Sequence, residues 1–438
     1  MRNRFRAAAL GIVGTLMTVV TAQAGSVKRL SNGLHTVVLE DHASPVVSLQ
    51  IWVRCGGVNE EGPTSGVSHF LEHMIFKGTD KISANEISKI VESNGGSINA
   101  ATGGETTQYY IDIPSKQWEK AFDVLAESVM RPAFPPVEFE KERKVILEEI
   151  KRRNDDPRSD LWDVFLEGLY QRTAYRQQVI GSVETITAMT RDLMVRQHAL
   201  FYVPNNIVVV VAGDVKRADV EKKIKKIFGA LPAGPTPPQP RLLEPPAAEP
   251  TVKQIYNDKA QQAHVALGFV GPTLKDPDQV VMDVLSTALG GGQSSRLYQK
   301  LREEKRQVWS ISASFITHSG SGAFGIFAEC PPEKTNSLPN DVFFLLGDVE
   351  FNGFTPDEVD RAKAQIRSSW LFGQETYHGQ ASQWGFYTVL GAPEVLETYL
   401  TKLDRVTAAD LGRALSKYSL GRPLSGVVVK PRPAGGGR

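Results

Sequence analysis

Two histidines and a glutamate that could hold and use a metal ion stand within five consecutive residues, His69-Phe70-Leu71-Glu72-His73. The surrounding segment, Val67 to Phe76, is otherwise apolar apart from Ser68, the pattern of a helix packed into a core. Histidines four positions apart lie on one helical face, so both imidazoles can reach a single ion. Glu72 sits at the flank of that pair. Burying these groups on an apolar helix without a partner would cost on the order of several kcal/mol. A bound zinc ion accounts for the pattern better than three packed polar side chains. Zinc held by two imidazoles needs at least one more protein ligand and an open position for water. Ser65 is placed to cap this helix.

A second helix, Glu138 to Asn154, offers the missing ligand. Phe139, Ile146 and Ile150 mark its buried face, and at 100° per residue Glu142 and Glu149 share one edge of that face. Either can reach the ion, whereas Glu148 points to solvent. Around these two helices the chain reads as mixed α+β. Strands are expected at Thr36–Leu39 and Val46–Val53, and a strand pair between Ile98 and Ile113. Further helices are expected from a Ser83/Glu86 capping box to Asn94-Gly95 and over Lys116–Met130.

Eight prolines between Leu231 and Pro250 exclude a helix or central strand there and predict an extended connector over residues 231–250. It separates two pieces, 25–230 and 251–430, that end alike. Thr190 and Thr407 each start a helical stretch that is followed by an apolar strand, Ile207–Val211 and Val427–Val429, which suggests an internal duplication. Arg2, Arg4 and Arg6, an apolar run from Ala7 to Val20 and Ala22-Gln23-Ala24 form the pattern of a cleaved secretory signal over residues 1–24. The mature protein is therefore expected in the periplasm, without a transmembrane span. The tail, 431–438, reads as disordered. Lys plus Arg (50) and Asp plus Glu (49) nearly cancel, which gives no pointer to nucleic acid. Cys55 and Cys330 read as two small buried hydrophobes.

The order His-x-x-Glu-His, inverted relative to common zinc proteases, together with Glu149 resembles the pitrilysin and insulinase family of zinc metallopeptidases. The mitochondrial processing peptidase type and its bacterial relatives are the most similar branch, from Asn32-Gly33-Leu34 to Val429. The resemblance implies two similar domains, each a mostly antiparallel sheet with helices on one face. It implies one zinc ion per chain, held by His69, His73 and Glu149, with Glu142 in support. It also implies an endopeptidase in which Glu72, as general base, takes a proton from the attacking water and later delivers it to the leaving amine. Substrate would be a peptide or unfolded segment added as a strand at Asn99 and Ala100. The family's arginine corresponds to Arg302, but its tyrosine seven residues on is Trp309 here, which donates a hydrogen bond but is no phenol. A dimer is therefore expected, either with a second copy or with a related chain carrying Arg and Tyr. The alternative is a catalytically silent peptide-binding or scaffold subunit.

Overall fold

The computed structural model describes residues 25–245, 249, 251–419 and 424–433, so the signal segment 1–24 lies outside the described residues. The first half runs β1 (Lys28–Arg29), β2 (His35–Glu40), β3 (Val46–Val53), α1 (Val67–Ile75), α2 (Ala84–Glu92), β4 (Ser97–Thr102) and β5 (Thr107–Pro114). It continues with α3 (Trp118–Met130), α4 (Pro136–Asn154), α5 (Pro157–Leu169), α6 (Val183–Ala188), α7 (Arg191–Phe201), β6 (Ile207–Gly213) and α8 (Arg217–Phe228). The second half runs β7 (Thr251–Asn257), β8 (Ala263–Gly271), α9 (Asp278–Gly290), a π-helical turn (Tyr298–Glu304), β9 (Ser310–Ile316) and β10 (Gly322–Cys330). It closes with α10 (Leu338–Asn352), α11 (Pro356–Phe372), α12 (Tyr377–Val389), α13 (Val395–Arg405), α14 (Ala408–Tyr418) and β11 (Ser425–Pro431).

The β-branched runs take central places because both of their faces are covered. β6 is buried at every residue and β3 at all but its first, as expected of strands with no solvent-facing side. The first sheet is ordered β1-β2-β6-β3-β5-β4 and the second β7-β11-β8-β10-β9. In each half the closing strand lies parallel to an early one, β6 to β2 and β11 to β7, and the remaining pairings, including that of the short β1 with β2, are antiparallel. The duplication suggested by the two chain ends is thus repeated in strand order and direction. Ser83, Thr190 and Thr407 cap their helices through their side chains.

Each half's own helices pack on one face of its sheet, and the opposite face is covered by a helix from the other half. α12 lies on β3 and β6 of the first sheet, whereas α5 lies on β8 and β11 of the second. Gly385 of α12 allows the approach, since a Cβ there would stand 2.0 Å from the Trp52 indole nitrogen. Phe165 of α5 is buried against Gly268 and Gly325 of the second sheet. Nothing in the local pattern of Pro157–Leu169 announces this exchange.

The Pro-rich stretch forms no helix or strand in its described part, residues 231–245 and 249. Buried Glu244 anchors it by accepting the backbone N–H groups of Gln171, Arg172 and Thr173 at 3.1, 3.0 and 2.9 Å. Cys55 and Cys330 are both buried and unpaired with one another. β11 extends to Pro431, so the expected tail begins within a strand, and residues 434–438 lie outside the described residues.

Truncating Phe165 to Ala should destabilise the protein by about 3–5 kcal/mol, because the glycine-lined slot around it cannot collapse. Urea unfolding followed by tryptophan fluorescence measures this, and a loss under about 1 kcal/mol would contradict the exchanged-helix packing.

Candidate metal centre

The inverted motif lies on α1 as its apolar setting requires, with Phe70, Leu71, Met74 and Ile75 buried. The helix does not begin as expected. Its N-cap is Gly66 at φ 89°, with no side-chain cap, rather than Ser65. The reason is tertiary. Buried Glu60 accepts the N–H groups of Gly66 and Ser68, each at 2.7 Å, and satisfies two orphan donors at the positive end of the helix. Burial pushes the Glu60 carboxyl up to about 7 while these hydrogen bonds pull it down. A side chain at position 66 would also strike Ile186 and the Ile180 carbonyl, at 2.7 and 2.8 Å. Nothing in the residues around Glu60 marks it as a cap.

α1 docks on α4 through stacked Phe70 and Phe139 rings, with centroids 4.7 Å apart and 8° between planes. Arg143 lies 4.8 Å over the Phe139 ring and donates to the Met189 carbonyl at 2.8 Å. This contact aligns the glutamate edge of α4 with the histidine face of α1. Glu149 Oε2 lies 3.8 Å from His69 Nε2 and 3.6 Å from His73 Nε2. Those separations exceed hydrogen-bond length. They suit atoms sharing a centre, because ligands at 2.0–2.1 Å in a tetrahedral zinc site stand roughly 3.3 Å apart. One ligand atom from each of His69, His73 and Glu149 lies within 4.8 Å of the others. Two nitrogens and a carboxylate oxygen match the donor set of an open zinc site.

Both glutamates left open by helical geometry are used, but differently. Glu142 accepts from His73 Nδ1 at 3.0 Å and pairs with Lys77 Nζ at 2.6 Å. It therefore fixes the His73 tautomer and turns Nε2 toward the metal position, the usual part of a carboxylate behind a ligating histidine. Burial works to raise the Glu142 carboxyl, but the hydrogen bonds from Lys77 and His73 outweigh it and hold it below its ordinary value. Burial, assisted by the charge of His73, lowers His69 to about 4, so its imidazole is neutral and available as a ligand at neutral pH. Its Nδ1 is buried with no hydrogen-bond partner among the described residues. Glu148 points outward, with a side chain 71% exposed. Glu72 is partly buried, and burial raises its carboxyl above the usual range against the pull of Thr102 and His73. A carboxylate so raised is a better proton acceptor near neutral pH.

Asn99 and Ala100 lie on β4, the edge strand of the first sheet. Ala100 packs toward the core shared with α1, Asn99 is exposed, and the Asn99 amide oxygen accepts the Ala100 N–H at 2.9 Å. Arg302 and Trp309 meet one another in the second half, Arg302 Nε donating to the Trp309 carbonyl at 2.8 Å. Arg302 also lies 5.0 Å from the Tyr298 ring centroid and pairs with Glu303. Neither residue has a hydrogen bond or ion pair to His69, Glu72, His73 or Glu149 among the described residues.

The profile described as "Insulinase (Peptidase family M16)" matches residues 36–183, and that described as "Peptidase M16 inactive domain" matches residues 188–366. The chain is 32% identical over 418 residues to an uncharacterized zinc protease of Streptomyces coelicolor, covering 93% of this chain and 90% of that relative. The chain belongs to the M16 peptidase family. Zinc protease PqqE of Helicobacter pylori is 29% identical over 92% of each chain. Among solved structures, a protease from Helicobacter pylori superposes with a TM-score of 0.88 at 28% identity, covering 93% of this chain and 99% of the other. An M16 inactive domain from Pseudomonas fluorescens shares the fold, with a TM-score of 0.86 at 20% identity over 94% of this chain and 99% of that one. The match to the M16 profile over residues 36–183 spans His69, His73 and Glu149, the three side chains that converge here.

Zinc affinity, measured by competition with a chromophoric chelator, should fall about 10–100-fold in Glu142→Gln, which keeps the side-chain shape but weakens the hold on His73. Glu149→Ala should abolish stoichiometric binding and Glu148→Ala should leave it unchanged. Equal effects at 148 and 149 would contradict the assigned ligand set.

Proposed function

We propose that this M16 chain is a zinc-dependent endopeptidase that cleaves peptides or unfolded segments. The reading rests on one observation, the convergence of His69 Nε2, His73 Nε2 and Glu149 Oε2 on the helix face that Glu72 flanks. When bound, zinc would lower the pKa of a water and polarise a peptide carbonyl. Glu72 accepts the proton of the attacking water and passes it to the departing amine. Lys77 and Glu142 hold His73 in its working tautomer throughout. The edge of β4 takes the substrate as an added strand, so the main chain supplies most of the contacts and many sequences are accepted. The Asn99 amide must then release the Ala100 N–H to the incoming strand.

The proposal extends to location and partners. Export to the periplasm is supported by the basic start, apolar run and Ala22-Gln23-Ala24 at the N-terminus. A dimer, with itself or with a related chain, is supported by Trp309 standing where the family's tyrosine is expected. The second reading, a subunit that binds zinc and peptide without cleaving, has the same support.

The purified chain, assayed for zinc and against a peptide library, should cleave and should lose cleavage on chelation. Glu72→Gln should keep full zinc occupancy and lose at least about 10²-fold in kcat. Stoichiometric zinc in the wild-type chain with no turnover of any peptide would sink the self-sufficient enzyme and favour the silent subunit.

A further inference from the structure

The second half repeats the scaffold of the first without its histidines, and the equivalent place is a cavity rather than a packed core. α9, α11 and the edge strand β9 stand in the second half where α1, α4 and β4 stand in the first. Between them, roofed by α12 and α13, lies a cavity of about 1040 Å³. It contains one carboxylate, Asp283. Asp283 Oδ2 accepts from the Tyr399 hydroxyl and the Gln279 amide, both at 2.7 Å, and Oδ1 has no hydrogen-bond partner among the described residues. No Lys, Arg or His pairs with this carboxylate among the described residues. Asp283 is half-buried on the cavity wall, so its carboxyl faces the cavity held by two donors and, among the described residues, without a cationic partner.

The walls point to what supplies it. Trp370 and Tyr399 stack with centroids 4.2 Å apart and 8° between planes, and Tyr387 stands 6.1 Å from Trp370. All three rings line the cavity. Aromatic faces attract cations within about 6 Å, more strongly where water is excluded. Arg361 also lines the cavity and donates to the Ser294 carbonyl at 3.2 Å, which holds its guanidinium toward that loop and away from any ion pair with Asp283 among the described residues. Ser314 and Phe315 on β9 border the cavity, which is therefore open along a sheet edge. We propose that this cavity is a binding site for an organic cation, an ammonium or guanidinium on an alkyl chain, with Asp283 as counter-ion and Trp370, Tyr387 and Tyr399 as the aromatic wall.

The cation can be a free amine or a basic side chain carried by a peptide, and the two sources are separable. Burial raises the Asp283 carboxyl to about 7 against its two hydrogen bonds, so the measurements are made at pH 8, where the anion predominates.

Isothermal titration of the zinc-loaded full chain, carrying Glu72→Gln so that peptides are not turned over, uses agmatine, spermidine, an acetylated and amidated lysine hexapeptide, and the same peptide with norleucine in place of lysine. Binding of at least one cation should be saturable, and if the site takes basic side chains the lysine peptide should bind at least tenfold more tightly than its norleucine twin. Asp283→Asn can still present a carbonyl oxygen to Tyr399 and Gln279, and so preserves the local fold while removing the charge. It should weaken every cation at least tenfold and leave zinc content and the norleucine peptide unchanged. Trp370→Leu should weaken the cations severalfold. Binding of agmatine and spermidine without preference for the lysine peptide assigns the site to free amines, and the reverse assigns it to basic side chains. Absence of saturable cation binding, or Asp283→Asn binding like the wild type, overturns the proposal. Because the readout is binding, a chain that fails to cleave peptides still tests it.

Discussion

Two stacked phenylalanines set the distance between the helices that matter. Phe70 and Phe139 bring α1 and α4 together at the point where one carries imidazoles and the other carboxylates. The pair is apolar and directional, and the Arg143 guanidinium over Phe139 closes its outer side. With the helices fixed in register, Glu142 and Glu149 arrive at His73 from two positions along the same edge. One meets Nδ1 as a hydrogen-bond acceptor and the other approaches Nε2 as a potential co-ligand. A single imidazole is thereby gripped at both nitrogens. A helix rotated by one residue would bring Glu148 round and lose this arrangement.

That register is defended from further away. Glu60 secures the start of α1, and Gly66 gives the chain the positive φ it needs to enter the helix there. On the other side, Glu105 in the turn between β4 and β5 accepts from Tyr175, at 3.0 Å, and from the Ser319 N–H of the second half, at 2.8 Å. The turn beyond the candidate substrate edge is thus tied across the molecule to the matching turn between β9 and β10. The exchanged helices α5 and α12 add two apolar interfaces to the same union. The far face of the first half's sheet is covered mainly by α12 of the second, which gives the second half a structural part in the site although, among the described residues, no metal-binding cluster lies there.

The duplicated scaffold has been put to two uses. In one copy two helices close on each other around imidazole and carboxylate groups. In the other the corresponding helices enclose an aromatic-walled space around one carboxylate, Asp283. Strand order is shared and side-chain chemistry is not, as expected where backbone topology is maintained by apolar patterning and the site residues are free to change.

The local patterns determined a good deal by themselves. Helical periodicity placed His69 and His73 on one face and separated Glu142 and Glu149 from Glu148, because a side chain's direction follows from its position in the turn. Capping residues Ser83, Thr190 and Thr407 marked helix starts, because a short hydroxyl satisfies a donor only a few residues away. Tertiary structure alone decided the remainder. Whether Glu142 or Glu149 faces the metal position depends on how α4 crosses α1, a contact between segments some 70 residues apart in the chain. The replacement of Ser65 by Glu60 as the support of α1, the exchange of α5 and α12 between sheets and the carboxylate cavity around Asp283 also depend on long-range packing. Each arises where groups distant in sequence compete for one buried position, and no local spacing records the outcome of that competition.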